Sequence, residues 1–352
     1  MADITVMKAA CLCGKSNFTT SVATSALPLP TYLCQCNHCR HMSGALYYAA
    51  MPWPGPLPNT TTLTSYPFSD NVQAYFCSTC GAHMFWHNHQ QNFLDVTTGV
   101  LDNPEKYVKV VAHQFVNSTK DGGFSDWLPV INETQPLPRW GGNHDKSELL
   151  PRGWKVPSNS EDLSKDKQEP KLRVQCFCEG VNFRITRPDE LSSQLSTRVA
   201  RVVLPEMAAM ESAKELPVDG RYLAQTCACT SCRLASGIEL FQWAYITTAN
   251  IKLPNGDPFR LVFGTLKAYA SSTGKTRCFC GRCGATVFWY SNERPQLVDV
   301  AVGLLDAVSG ARAEVWLNWN TESVINVEDA THRSFAQALQ VGLRAWGKSE
   351  NQ

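Results

Sequence analysis

Residues Cys34–Arg40 read CQCNHCR, and the same spacing of cysteines returns as CACTSCR at Cys227–Arg233. Three thiols this close together, found twice, are not expected of isolated core cysteines. They fall one short of the four protein ligands of a closed structural zinc site, whereas catalytic zinc takes three and keeps a position open. The two segments therefore predict two open metal sites, formed by Cys34, Cys36 and Cys39 and by Cys227, Cys229 and Cys232.

Two further groups of four cysteines fit closed zinc sites. In each group a C-x-C pair is followed, far downstream, by C-x-x-C-G. Thiols two apart on an extended chain point the same way, and the glycine permits a tight turn. Zinc between such distant pairs contributes on the order of 10 kcal/mol to folding. Pairs of buried free thiols are the alternative, which the repetition argues against. The predicted ligands are Cys11, Cys13, Cys77 and Cys80, and then Cys176, Cys178, Cys280 and Cys283.

The shared order of these motifs indicates a duplicated domain. The sequence DVTTGVLD at Asp95–Asp102 also returns, as DVAVGLLD at Asp299–Asp306. Short β-branched and aromatic runs between Pro, Gly and Asn turns predict an all-β, mostly antiparallel structure. In the first copy, strands are predicted at Tyr47–Met51, Val72–Phe76, Ala82–Trp86, Phe93–Thr97 and Tyr107–Val116. We expect the first copy at 8–140, a charged linker at 141–171, the second copy at 172–329, and a helix and tail at 330–352.

Two segments lie outside the shared motifs. The second copy has an insertion between its C-x-C and C-x-C-x-x-C segments, in which Asp189–Met210 predicts a helix or lid, or else a surface elaboration without function. Near the C-terminus, Phe335, Leu339, Leu343 and Trp346 share one face of a predicted helix. Docking of that helix on the protein's own sheets is favoured over binding to a partner.

Composition excludes several classes of function. The 352 residues are 43% hydrophobic, which is enough for two cores, and carry a net charge of +1. A near-neutral chain gives no reason to expect nucleic-acid binding. It has no apolar run of membrane-spanning length, and its first ten residues lack the apolar core of a signal peptide. We therefore expect a cytoplasmic protein without membrane or nucleic-acid partners, whose clustered thiols bind metal rather than form disulfides.

The open sites are the functional candidates. Zinc held by three thiolates favours binding of a fourth thiol from a substrate, which coordination would deprotonate. Alternatively, a protein side chain closes the site. The nearby histidines of the first copy are His38, His41, His83, His87 and His89. Cys278 of the second copy is predicted not to be a ligand, because neighbouring Cys280 already belongs to a complete set of four.

The order C-x-C-G, C-x-C-x-x-C-R, F-C-x-x-C-G and G-x-L-D resembles the glutathione-dependent formaldehyde-activating enzyme and centromere protein V family. The resemblance covers nearly all of both copies. It implies tandem zinc-stapled β-tent domains, with the four-cysteine sets closed and the three-cysteine sets catalytic. The implied reaction joins glutathione to formaldehyde, giving S-(hydroxymethyl)glutathione, and its reverse is a carbon–sulfur lyase step. Implied partners are a thiol, glutathione, and an aldehyde.

Some residues depart from the family pattern. Glu179 stands in the second copy where Gly14 stands in the first, and Trp316–Trp319 matches the family's closing stretch loosely. These departures put the activity of the second copy in question more than its zinc binding. Arg40 and Arg233 are predicted either to attract glutathione carboxylates or to form ion pairs at the rim. The favoured function is a zinc-dependent carbon–sulfur lyase, and the alternative is a non-catalytic zinc-binding, thiol-binding or protein-interaction module.

Overall fold

The computed structural model describes residues 3–132, 135–157, 166–189, 192 and 220–350. The described elements of the first copy are β1 (Ile4–Ala10), β2 (Asn17–Ala23), β3 (Leu29–Cys34), α1 (Asn37–Ser43), β4 (Tyr48–Pro52), β5 (Leu63–Ser69), β6 (Val72–Cys77), β7 (His83–Asn88), β8 (Phe93–Thr97), α2 (Pro104–Tyr107) and β9 (Val108–Gln114). Those of the second copy are β10 (Lys171–Gln175), β11 (Asn182–Thr186), β12 (Tyr222–Cys227), α3 (Thr230–Ser236), β13 (Phe241–Thr247), β14 (Ile251–Lys252), β15 (Leu266–Ser272), β16 (Lys275–Cys280), β17 (Thr286–Ser291), β18 (Leu297–Ala301) and β19 (Leu317–Trp319), followed by the C-terminal helix α4 (Arg333–Glu350).

Each copy is built around a seven-stranded sheet, and the two sheets have matching strand orders. The order is β5-β6-β7-β8-β4-β3-β9 in the first copy and β15-β16-β17-β18-β13-β12-β19 in the second. Most neighbours are antiparallel, while β3–β9 and β12–β19 are parallel. The predictions of a duplicated chain and of a mostly β fold are therefore confirmed, and the predicted strands of the first copy match β4 and β6–β9 closely.

A β-hairpin packs beside each large sheet and carries the C-x-C segment in its loop. In β1 the side chains alternate, with Val6 exposed and Met7 and Ala9 fully buried, as expected of a strand with one face on a core. β1 pairs with β2, and β10 pairs with β11, which also contacts β14. The C-x-x-C segment instead follows β6 or β16 of the large sheet. Each four-cysteine set thus joins a hairpin to a sheet.

The two copies pack against each other through reciprocal backbone contacts. Gly99 N–H donates to the carbonyl of Gly237 at 3.0 Å, and Gly303 N–H donates to that of Gly44 at 2.8 Å. Each contact joins the G-x-L-D motif of one copy to the turn after the open-site helix of the other. A Cβ on Gly99 or Gly303 would lie within 2.5 Å of the facing backbone, so these glycines permit the close approach. A continuous apolar core crosses this interface.

The C-terminal helix α4 closes one end of this core. Phe335, Leu339 and Leu343 are fully buried, and the Phe335 ring packs edge-on against Tyr47 of the first copy. The apolar face predicted from the sequence is therefore covered by the protein itself. None of the helices in the described ranges has the length and apolarity needed to cross a bilayer. Apart from Asp189 and Ser192, the predicted helix or lid at 189–210 lies outside the described residues.

Candidate metal centres and the second-copy cavity

The two four-cysteine sets have the geometry of closed metal sites. All four Sγ atoms of each set lie within 4.8 Å of one another. The Sγ atom of Cys13 lies 3.4 Å from that of Cys11 and 3.6 Å from that of Cys77. Four sulfurs around zinc, at about 2.3 Å each, would be about 3.8 Å apart in a tetrahedron. Both sets therefore fit a tetrahedral ion such as zinc. Their members are Cys11, Cys13, Cys77 and Cys80, and Cys176, Cys178, Cys280 and Cys283.

Backbone turns bring the thiols of each C-x-C segment together. In the first copy Gly14 has φ +73°, in the left-handed region, and its N–H donates to the carbonyl of Cys11 at 3.0 Å. In the second copy Glu179 adopts φ +56° and makes the equivalent bond to Cys176 at 3.0 Å. The second copy thus keeps the turn without the glycine, at a strain of about 1–2 kcal/mol.

The two three-cysteine sets lie where a strand leads into a short helix. Cys34 ends β3, Cys36 caps α1, and Cys39 lies in its first turn. The N–H of Cys39 donates to Cys36 Sγ at 3.3 Å, and Cys232 N–H donates to Cys229 Sγ at the same distance. All three Sγ atoms of each set lie within 4.8 Å, and within the described residues no His, Cys, Asp or Glu adds a fourth ligand atom at that range. Both sets could hold a metal ion with a free position.

In each open set the pKa of one cysteine is lowered, which favours its thiolate form. Hydrogen bonds from Cys34 and then Cys39 lower the pKa of Cys36 to about 3. In the second copy, contacts with Cys227 and Cys229, aided by Arg277, lower the pKa of Cys232 well below its usual range. Anionic sulfur is the form that binds metal.

The histidines that were candidates for closing the first open site have other partners. His83 Nε2 lies 2.9 Å from the carbonyl oxygen of Met42, and His41 Nε2 lies 3.1 Å from a carboxylate oxygen of Asp306, in the other copy. The His38 ring contacts those of Phe68 and Phe177, and His87 stacks edge-on with His89. Cys278 is likewise outside the clusters, with its Sγ 3.6 Å from the Leu261 carbonyl.

A cavity of about 780 Å³ lies over the open set of the second copy, and we call it the second-copy cavity. Its volume falls within the range of small-molecule sites. All three thiols of the set line it, together with the rings of Trp243, Tyr245 and Trp289. The cavity also contains charged groups that the sequence did not single out, namely Lys275, Arg277, Glu293, Arg294 and Asp299.

Lys275 and Arg277 lie on β16 and Asp299 on β18, while Glu293 and Arg294 lie in the loop between β17 and β18. Arg277 is 4% exposed and donates from Nη2 to Ser231 Oγ at 2.9 Å and to Cys232 Sγ at 3.4 Å. Arg294 donates to Asp299 Oδ1 at 2.6 Å. Burial raises the pKa of Asp299 to about 6, against the opposing effect of Arg294.

A second salt bridge lies at the edge of the second-copy cavity. Lys275 donates to Glu293 Oε2 at 2.6 Å and to Ser291 Oγ at 2.7 Å. Because Arg294 and Lys275 both already hold a carboxylate, the cavity contains two salt bridges and one further cation, Arg277.

The first copy has different side chains at the corresponding positions. Leu63 pairs with Cys77 as Leu266 pairs with Cys280, so Ala74 corresponds to Arg277 and Val72 to Lys275. Phe68 corresponds to the cavity-lining Ser271, and each lies at a β-bulge.

An aromatic cluster surrounds Phe68. Its ring lies 4.4 Å from that of Trp86 and 4.9 Å from that of Phe177. Trp86 opposes Ala74 across the sheet as Trp289 opposes Arg277. An aromatic cluster therefore stands in the first copy where the second has cations and open space.

Arg40 and Arg233 lie at the interface between the copies. They are 4% and 5% exposed. Arg40 Nη1 donates to the Gly303 carbonyl at 3.4 Å, and Arg233 Nη1 donates to the Leu101 carbonyl at 2.9 Å and also to that of Gly99. Each guanidinium thus holds the G-x-L-D turn of the other copy. That either arginine binds substrate stays a prediction.

Comparison with known proteins agrees with the repeat. A family model described as glutathione-dependent formaldehyde-activating enzyme matches residues 6–118 and 215–319. The two matched regions contain the two open sets and the two C-x-x-C segments. A search of curated proteins found no match.

Proposed function

The chain belongs to the glutathione-dependent formaldehyde-activating enzyme family, and from this premise we propose that it is a zinc-dependent carbon–sulfur lyase. It joins a thiol such as glutathione to formaldehyde or a related aldehyde, and it catalyses the reverse reaction. The four-cysteine sets hold structural zinc and the three-cysteine sets are open. The reaction takes place in the second copy, at Cys227, Cys229 and Cys232. Because the site depends on free thiolates, we expect the protein in a reducing compartment such as the cytoplasm.

The observation that carries this proposal is the second-copy cavity over an open set of thiols. A three-thiolate site buried under protein atoms would offer no access, whereas this one opens into about 780 Å³ of lined space. Glutathione has two carboxylates, and the cavity contains three cations and two carboxylates, an excess of one positive charge, near its apolar walls. A cationic, partly apolar cavity next to a thiol-binding site suits a peptide-like anionic thiol.

The side chains of the cavity have separable roles. Zinc bound by the three cysteines would supply a Lewis acid that lowers the pKa of an incoming thiol. Arg294 and Lys275, whose carboxylate partners lie on the same wall, are placed to attract the carboxylates of the substrate. The rings of Trp243 and Trp289 limit the water around the sulfur. Holding thiol and aldehyde together is itself a source of rate.

The sequence departures put the activity of the second copy in question, without deciding which copy is active. Glu179 maintains the turn that Gly14 makes in the first copy, so that departure leaves the closed set intact. In the first copy, Phe68 occupies the position of Ser271 and packs on Trp86. This observation favours the non-catalytic alternative for the first copy, as a metal-binding scaffold.

The test measures exchange between free and thiol-bound ¹³C-formaldehyde by NMR, because exchange spectroscopy separates catalysis from the spontaneous reaction. Cys229→Ser is expected to reduce the enzymatic exchange rate to background. Cys36→Ser, the matched variant of the first copy, is expected to retain it. Elemental analysis is expected to find up to four zinc ions per chain, at least two of which resist dialysis.

Two results would overturn the proposal. The first is wild-type protein that holds zinc but does not accelerate exchange with any thiol and aldehyde tried. The second is loss of activity in Cys36→Ser with full activity in Cys229→Ser. As a further check, Ser271→Phe introduces the aromatic side chain of the first copy and is expected to reduce exchange, while the zinc content stays unchanged.

A further inference from the structure

Arg277 has unused hydrogen-bonding capacity. Its side chain is 4% exposed and lines the second-copy cavity. Nη2 is bonded to Ser231 and Cys232, but within the described residues neither Nε nor Nη1 has an acceptor. A guanidinium has five N–H donors, and buried donors without acceptors are unfavourable. Because these donors are buried, only a ligand atom that packs directly against the guanidinium would satisfy them.

The position of Arg277 limits what that ligand is. Its Nη2 lies 3.4 Å from Cys232 Sγ, so the guanidinium adjoins the atoms that would hold the metal and the incoming sulfur. Arg294 and Lys275 are paired with Asp299 and Glu293, whereas Arg277 forms no salt bridge in the described part of the chain. The cation without a carboxylate partner therefore adjoins the open set.

When a thiolate adds to an aldehyde, negative charge develops on the carbonyl oxygen. The sulfur forms a bond to the carbonyl carbon, and the π electrons of the C=O bond move to the oxygen. The proton that the thiol released on binding, exchanged through solvent, then neutralises this alkoxide. The product is a hemithioacetal, and nothing is oxidised or reduced. Donors aimed at such an oxygen typically contribute 10²–10³-fold to the rate.

We propose, on the premise of the function above, that Arg277 is a catalytic residue whose Nε–H and Nη1–H groups hold the aldehyde oxygen as it becomes an alkoxide. This goes beyond thiol binding, because it assigns the electrophile's subsite and the group that stabilises its charge. It also gives a chemical reason for the difference between the copies, since the first copy has Ala74 at this position.

The experiment uses the zinc-loaded full chain and two substitutions in the cavity. Arg277→Gln is expected to lower kcat about 10²–10³-fold with both glutathione and the uncharged thiol 2-mercaptoethanol. Arg294→Gln is the comparison variant, and it is expected to raise KM for glutathione more than KM for 2-mercaptoethanol. This contrast separates a contact with the aldehyde oxygen from a contact with a substrate carboxylate.

Thiol binding is measured separately from turnover. Cobalt replaces zinc in a Cys36→Ser background, so that the thiol-dependent change in sulfur-to-cobalt charge-transfer absorption reports the second-copy site. Arg277→Gln is expected to bind glutathione within about threefold of the Arg277 parent. If Arg277→Gln loses cobalt, Arg277→Lys is measured in its place. Lysine keeps a cation beside Cys232 but lacks the planar guanidinium with its paired N–H donors, so kcat is expected to fall at least tenfold.

Three outcomes would overturn the inference. They are a kcat within threefold of wild type in the metal-loaded Arg277 variant, a loss seen with glutathione but not with 2-mercaptoethanol, and a loss accounted for by weaker thiol binding. Each leaves the proposed function standing. Wild-type protein without exchange activity would instead remove the function itself.

Discussion

Arg312 joins the two copies through a buried charge network, and its replacement should measure how strongly they are coupled. The residue is fully buried in the second copy. Its Nη1 donates to Asp126 Oδ2 and to the Gly123 carbonyl of the first copy, both at 3.0 Å. Its Nε donates to Glu314 at 2.6 Å. Arg139 Nη2 forms a salt bridge with Asp126 Oδ1 at 2.8 Å, so Asp126 keeps one cation when Arg312 is removed.

The expected magnitude follows from these contacts. Removing one member of a buried ion pair costs about 3–5 kcal/mol, because the other charge stays buried without compensation. Arg139 still compensates Asp126, and methionine keeps the aliphatic stem, although it removes the guanidinium, whose Cζ lies 5.9 Å from the Trp127 ring centre and 5.2 Å from that of Trp346. We therefore expect Arg312→Met to lower the free energy of unfolding by about 3 kcal/mol, near the lower end of that range.

The assay is urea unfolding at a fixed zinc concentration, followed by tryptophan fluorescence. Trp127 and Trp319 lie near the substitution, 4.6 Å apart, and report the interface directly. Arg260→Met is the matched control, because Arg260 is 60% exposed and pairs with Asp257 at 3.5 Å; it should change stability by less than about 1 kcal/mol. If Arg312→Met were no more destabilising than this control, the network would not couple the copies.

Three further predictions concern metal and pH. Cys11→Ser should lose one ion and lower the melting temperature, because metal binding and folding are coupled in a closed set. Cys36→Ser, in an open set, should destabilise the protein less. Equal melting curves and zinc contents for the two variants would contradict this. Cys278→Ser should leave the zinc content unchanged, since that thiol is buried away from the clusters with its pKa raised to about 12; loss of an ion would make it a ligand. Burial opposes the charge of His332, but Glu239, 2.6 Å away, outweighs it and raises the histidine's pKa above its usual 6.5. The stability that this pair contributes is complete below pH about 6.5 and is lost as pH rises through the raised pKa. The free energy of unfolding of wild type should therefore fall more between pH 6 and 9 than that of His332→Gln. Parallel curves of unfolding free energy against pH would refute the coupling.

The sequence predicts the clusters better than their surroundings, for a physical reason. C-x-C and C-x-x-C spacings fix which thiols converge, because strand alternation and a tight turn bring them together locally. The cysteines that the sequence groups with Cys11 and with Cys176 do lie together in the structure. The strands can be predicted from the sequence equally well, since their β-branched and aromatic runs are short and separated by turn residues.

The cavity depends on contacts that spacing does not encode. Its walls come from strands of the second-copy sheet, from α3 and from the segments around Arg294 and Ile325. Ser271 lines it at a β-bulge, where the first copy has Phe68. The sequence predicts that Arg40 and Arg233 either attract substrate carboxylates or form ion pairs at the rim, because local sequence does not reveal that the other copy covers them. One signal was available for Arg277: aligning KTRCFC with VQAYFC places an arginine opposite Ala74, in a segment that otherwise reads as core.

The reciprocal packing explains why the first copy would be kept even without catalysis. Leu12 N–H, inside the first C-x-C segment, donates to the carbonyl of Leu234 in α3 at 3.2 Å, and the equivalent Phe177 N–H donates to that of His41 in α1 at 3.0 Å. Each closed set therefore supports the helix that carries the open set of the other copy. Since α3 contains Cys232, metal bound by the first copy would hold a thiolate of the second-copy site in position. On the proposed function, the first copy can do without substrate binding, whereas loss of Cys11 or Cys13 would loosen α3 and with it the open set of the second copy.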